Sequence, residues 1–173
     1  MKKLIFILAI FCFIITHAQD EKILPIEEVV EEIESDYVPF SIIEEVPVHP
    51  NCKNLITNQE KTRCFNTSIN KHVARKFNTN LANCIEEELV YNEKTKEEEL
   101  KCIGLKSGKK RIYASFKINK DGIIEDIYIR APHEKLKQEA IRVVKLLPKM
   151  EPGKQRGKPI AVAYTLPISF IVE

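Results

Sequence analysis

The sequence predicts an α+β fold: a three-stranded antiparallel sheet, two helices on one of its faces, and a long edge strand at the carboxyl end. Three observations lead there. In "GKPIAVAYTLPISFIVE" the even positions Ile160, Val162, Tyr164, Leu166, Ile168, Phe170 and Val172 are all apolar, and a period of two marks a half-buried strand. "NKDG" at 119–122 separates two further alternating runs, and an Asp-Gly pair in that setting is a hairpin signal. Two other stretches repeat apolar residues at helical steps. Laying two helices on one face of a small antiparallel sheet buries all of these apolar surfaces at once.

Taken in order, the chain opens with "MKKLIFILAIFCFIITHAQ". Lys2 and Lys3, an apolar run from Leu4 to Ile15, and Thr16 and Ala18 at the small positions read as a secretory signal peptide, residues 1–18, cut after Ala18. The run would cover about 18 Å as a helix, short of the ~30 Å hydrocarbon core. An uncleaved signal would instead leave the protein tethered to the inner membrane. Phe11 before Cys12 is too large for a lipoprotein processing site.

Residues 19–50 form an acidic, extended lead. Between positions 20 and 45 stand ten acidic residues and a single base, Lys22. Ile26, Val29, Val30 and Ile33 have helical spacing, but an isolated acidic stretch of this kind is expected to act as a tether. "VPFSIIEEVPVHPNC", with Pro39, Pro47 and Pro50 among apolar residues, reads as an extended segment lying along a surface. The domain proper is expected over 51–173. The net charge of +2 is too small to indicate a nucleic-acid partner.

Thr57 and Glu60 have capping-box spacing, so a helix should start near Asn58. Phe65, Ile69, Val73 and Phe77 then make its apolar stripe. Residues 84–102, "CIEEELVYNEKTKEEELKC", read as a charged excursion that turns at "YNEKTK". Ile112, Ala114, Phe116 and Ile118 define the first strand of the hairpin and "IIEDIYIR" the second. The apolar parity slips between Ile124 and Ile127, which predicts a bulge. Leu136, Ala140, Val143, Val144 and Leu147 form a second amphipathic helix, stopped by Pro148.

Cys52, Cys64, Cys84 and Cys102 remain after signal cleavage, and an even count in an exported protein reads as disulfides. Three pairings are possible. Cys52–Cys64 with Cys84–Cys102 is preferred, because each closes a short local loop. Metal ligation by Cys52, Cys64, His49 and His72 lacks a C-x-x-C knuckle and is set aside. The chain carries no G-x-S-x-G, H-E-x-x-H, P-loop or dinucleotide turn, and its acidic runs read as solvated faces. No catalytic residue, cofactor or metal is expected. Asn66 in "NTS" falls inside a predicted helix and is discounted as a glycosylation acceptor. The chemistry left is binding.

"GKKRIYASFKINKDGIIEDIYIRAPHEKLKQEAIRVVKLLPKMEPGKQRGKPIAVAYTLPISF" resembles the C-terminal domain of TonB-like energy transducers of the Bacteroidetes type. The strand followed by "DG", "EAIRVVKLLPKMEPG", "GKP" and "YTLPISF" carry the resemblance over 104–171, with the helix at 58–77 matching more loosely. It implies a periplasmic domain that grips an extended peptide, the TonB box near the N terminus of TonB-dependent outer-membrane receptors, by pairing it with the last strand. On that reading the peptide meets Ile160, Ala161, Val162, Ala163, Tyr164 and Thr165. Gln155, Arg156 and Lys158 either contact its acidic residues or stay solvated, and Pro167 either ends the pairing or only protects the edge. The chain departs from the family pattern in three places. Phe77 and Asn78 stand where a Tyr-Pro is expected, the 84–102 excursion is extra, and a cleavable signal with a short lead replaces the membrane helix and proline-rich spacer. A rival reading is a structural envelope module that homodimerises through the same edge.

Overall fold

The computed structural model describes residues 36–173. The expected signal peptide and the helical spacing at Ile26–Ile33 lie outside the described residues.

The central sheet has four strands, not the expected three. Its order is β1 (Tyr37–Pro39), β8 (Ala161–Val172), β4 (Gly108–Ile118) and β5 (Ile124–Arg130). The last three run antiparallel as expected, while β1 adds parallel to β8. A three-residue strand that ends in a proline is too short to display a period, so its sequence carries no strand signature.

Helix α1 (Asn58–Lys76) begins at the predicted capping box: Thr57 Oγ1 accepts from the Glu60 N–H and the Glu60 carboxylate accepts from the Thr57 N–H, both at 3.2 Å. Phe65, Ile69 and Val73 are its buried face, and Phe77 is buried at its C-cap. Helix α2 (Glu134–Lys145) buries Leu136, Ala140, Val143 and Val144. These residues form one core with the even-numbered side chains of β4 (Ile112, Ala114, Phe116, Ile118) and of β8 (Leu166, Ile168, Val172). The odd-numbered side chains Thr165, Pro167, Ser169 and Ile171 lie exposed.

Between β4 and β5 the turn needs Gly122. Its φ is +80°, and a Cβ there would stand 1.7 Å from the Met150 carbonyl oxygen. The parity slip is a real bulge: Ser115 faces Tyr128 and Lys117 faces Glu125, so Asp126 and Ile127 oppose Phe116 alone. Asp126 takes a positive φ of 50° and pairs with Lys117 at 2.9 Å.

Glu139, 7% exposed, clamps the two helices together. Its carboxylate accepts from Arg142 Nε and Nη2 at 2.7 Å and from the Asn78 N–H at 2.8 Å, while Arg142 Nη2 also donates to the Lys76 carbonyl. The Arg142 hydrogen bonds hold the Glu139 carboxyl below its ordinary pKa against the opposing effect of burial, with the Asn78 N–H adding to them. A depressed folded-state pKa contributes stability above the unfolded value and loses it as pH falls through the folded one. Glu139→Gln is therefore expected to cost about 2 kcal/mol at neutral pH, and urea unfolding should show that penalty shrinking in acid.

Both preferred disulfides are present, Cys52–Cys64 and Cys84–Cys102. The second staples the base of an antiparallel hairpin, β2 (Glu86–Asn92) and β3 (Glu97–Ile103), in which every residue but Asn92 is exposed. Closing such a loop is worth about 3 kcal/mol by chain entropy when the native loop stays ordered. This hairpin supplies no residue to the core, so cutting the staple frees it in the folded state as well as the unfolded one. Cys84→Ser with Cys102→Ser is thus expected to lower global stability by less than that figure. Amide exchange should rise across β2 and β3 and stay unchanged in β4 and β8.

Candidate functional site

From Tyr37 onward the extended lead lies against the rest of the folded unit. Val46, Pro47, Val48 and His49 are buried, and Ile43 and Val46 form a small core with Val162. Two-way main-chain hydrogen bonds join Glu45 to Lys154 and Val48 to Glu151. The loop they grip must pass close to β8, since a Cβ on Gly153 would stand 2.6 Å from Val162 Cγ2.

This docking sets β1 against the start of β8. Tyr37, Val38 and Pro39 stand opposite Ala161, Val162 and Ala163, and the Phe40 N–H donates to the Ala163 carbonyl at 2.9 Å. Phe40 anchors the segment, with its ring centroid 4.7 Å from Phe65 and 5.0 Å from Tyr164. The strand expected to be an open edge over Ile160–Thr165 is therefore covered over Ala161–Ala163. The cover is the chain's own lead, whose apolar anchors bury more surface docked than extended in water.

The Phe40 bond also fixes which way the main chain of β8 faces. Main-chain groups alternate sides along a strand. Ala163 turns towards β1, so the other odd-numbered residues turn to that outer side and the even-numbered ones turn to β4. Pro167 thus sits where its missing N–H removes nothing from the β4–β8 ladder, opposite Tyr113. Past Ala163 the outer ledge presents the N–H and C=O of Thr165, the C=O alone of Pro167, and both groups of Ser169 and Ile171. Among the described residues no strand pairs with that stretch.

The remaining candidate residues fall into two sets. Ile160 donates its N–H to the Gly153 carbonyl at 3.0 Å. The Gln155 side chain accepts from the Glu44 main-chain N–H and donates to the Glu44 carboxylate, and Arg156 donates its main-chain N–H to the same carboxylate. Lys154–Gln155 (β6) and Lys158–Pro159 (β7) make a tight ribbon through Arg156 and Gly157, both at positive φ, which holds Lys158 exposed beside the start of β8. The Tyr164 ring faces the core and its hydroxyl donates to Asn66 Oδ1 at 2.8 Å, with burial pushing its pKa up. Thr165 meets Ser115 through their hydroxyls at 3.0 Å.

Sequence reasoning missed Tyr37–Phe40 and Glu44, the residues that occupy or flank the ledge. Phe40, a large aromatic in the extended stretch "YVPFSII", was the one available signal. Metal ligation by Cys52 and Cys64 is excluded by their disulfide. Cys84, Glu87 and Cys102 lie within ligand distance of one another, but those two sulfurs are likewise joined.

An α+β layer whose last strand holds out a row of main-chain donors and acceptors is a strand-pairing module. Residues 111–172, from within β4 to the end of β8, match the model of the Gram-negative bacterial TonB protein C-terminal, so this part of the chain is similar to that domain. The family is transport-associated and non-catalytic. No curated protein matches the chain. Among the described residues no helix is long and apolar enough to cross a membrane.

Proposed function

We propose that this protein is a periplasmic binder of an extended N-terminal peptide from outer-membrane transporters. It takes that peptide as an added strand along the outer ledge of β8, in TonB-dependent transport. The observation that carries this reading is the ledge itself: Ala161–Ala163 already accepts a short parallel strand, and Thr165 to Ile171 continues outward-facing without a partner strand among the described residues. The peptide takes the place of β1 at Ala161–Ala163 and continues past it, while Phe40 keeps the lead docked. The exposed charges of Arg156 and Lys158 flank the entry of the ledge and suit an acidic residue in the peptide.

The test is titration of isotope-labelled protein with N-terminal peptides of transporters from the same cell. Amide shifts at Ala161–Thr165, with loss of the Phe40–Ala163 bond or of β1 pairing, are expected. Shifts confined to β5 or the β2–β3 hairpin would sink the reading. Light scattering over a range of concentrations separates it from homodimerisation through the same ledge, which predicts mass growing with concentration in the absence of peptide.

A further inference from the structure

A groove of about 770 Å³ lies away from the ledge, along the face of α1 that carries Arg63, Thr67, Ser68, Lys71 and Arg75, with His49 and Pro148 on its other wall. The Cys52–Cys64 disulfide ties the turn at Pro50–Cys52 to α1 beside it. His72 on the same face bonds through Nε2 to the Val143 carbonyl of α2 at 3.0 Å, so the walls are held on both sides.

The electrostatics are one-sided. Arg63, Lys71, Arg75 and Lys76 line the groove, and none of them forms an ion pair among the described residues. Glu60 is the one carboxylate in the lining, and it is turned to Thr57 in the capping box. From Arg63 to Arg75 the cations extend for about 18 Å of helix. They do not converge on a point as the donors around a single phosphate would.

His49 supplies the second observation. It is 6% exposed, and its Nδ1 accepts from the Asn51 N–H at 3.2 Å, which puts the ring proton on Nε2. Among the described residues no fully buried side-chain nitrogen or oxygen lacks a partner, so Nε2, which has none there, keeps access to solvent on a residue that lines the groove. Burial, and then the neighbouring His72, push His49 below the ordinary imidazole pKa and keep it a neutral donor at pH 7.

We propose that this groove binds an extended acidic segment of a partner protein, its carboxylates spread along Arg63, Lys71 and Arg75 and a main-chain carbonyl taken by His49 Nε2–H. A row of separated cations beside a neutral donor fits a polypeptide, which alternates charge with carbonyls. Phosphate oxygens would accept from His49 Nε2–H as a carbonyl does, so polyphosphate is the comparator that decides between the two kinds of anion. The site is independent of the β8 ledge.

The experiment uses the mature protein at low and physiological salt, with an end-blocked hexaglutamate peptide as probe and hexalysine and polyphosphate as comparators. Hexaglutamate is expected to shift the ring signals of His49 and His72 and the amides of α1, with an affinity that falls as salt rises. Lys71→Glu with Arg75→Glu, both exposed on a helix surface, should weaken it at least tenfold. Arg63→Gln should weaken it less, and transporter-peptide shifts on β8 should be unchanged in both variants. Absence of His49 shifts, equal binding by the charge-reversed variant, or tighter binding of polyphosphate than of hexaglutamate would each overturn the proposal.

Discussion

Replacing Phe65 by alanine should remove about 4 kcal/mol of stability, the largest loss from any single truncation in this fold. Phe65 is fully buried on α1 and sits where three parts of the chain meet. Its ring centroid is 4.7 Å from Phe40 of the lead and 5.1 Å from Tyr164 of β8, and Tyr164 in turn reaches Phe116 of β4 at 5.6 Å. The vacated volume is walled by sheet on one side and helix on the other, so it closes only in part. Chemical denaturation should report the loss, with a fall in Tm on the order of 10 °C. There is also a local signature. Phe40 loses its nearest ring, so amide exchange at Ala163 and in β1 should accelerate beyond what the global change explains. A loss below about 1 kcal/mol would mean that the aromatic cluster is not the keystone of the lead's docking.

Val38→Pro should raise the affinity for a transporter peptide on the order of tenfold, the effect of removing an intramolecular competitor worth about 1.4 kcal/mol. Val38 is the centre of β1, opposite Val162, and shares the strand side of Phe40, whose N–H bonds Ala163. Proline there removes a donor aimed at β8 and leaves Phe40, Ile43 and Val46 in place. The domain should therefore stay folded while the ledge at Ala161–Ala163 opens. Calorimetric titration of wild type and variant with the same peptide is the measurement. Unchanged affinity would mean that the peptide uses only Thr165–Ile171, and weakened affinity would mean that β1 is a platform for the peptide, not a rival to it.

Much of this fold is written in local patterns. Thr57 and Glu60 sit at a spacing that caps a helix whatever surrounds it, and the structure starts α1 there. Asp121-Gly122 turns because glycine reaches positive φ without strain, and the bulge at Asp126 shows as a slip of apolar parity. The disulfide pairs present are the two preferred for closing short local loops. β1 was not legible, because three extended residues have no period and their place depends on Phe40 finding Phe65 and Tyr164, 25 and 124 positions further along the chain. Nor was the α1 groove legible. Lys71 and Arg75 lie outside the apolar stripe of α1, and only the packing of His49 and Pro148 near that face turns it into a cleft.

The role of Pro167 divides in the same way. By itself the sequence determined that a long alternating strand closes the chain and that one of its odd positions cannot donate a hydrogen bond, since both are properties of neighbouring residues. Which side of the strand lacks that donor, and what lies against that side, depended on the register with β4 and on the docking of a segment from the other end of the described chain. Contacts of such long separation are set by the whole packed structure, because no local pattern records which distant surface a short segment will bury.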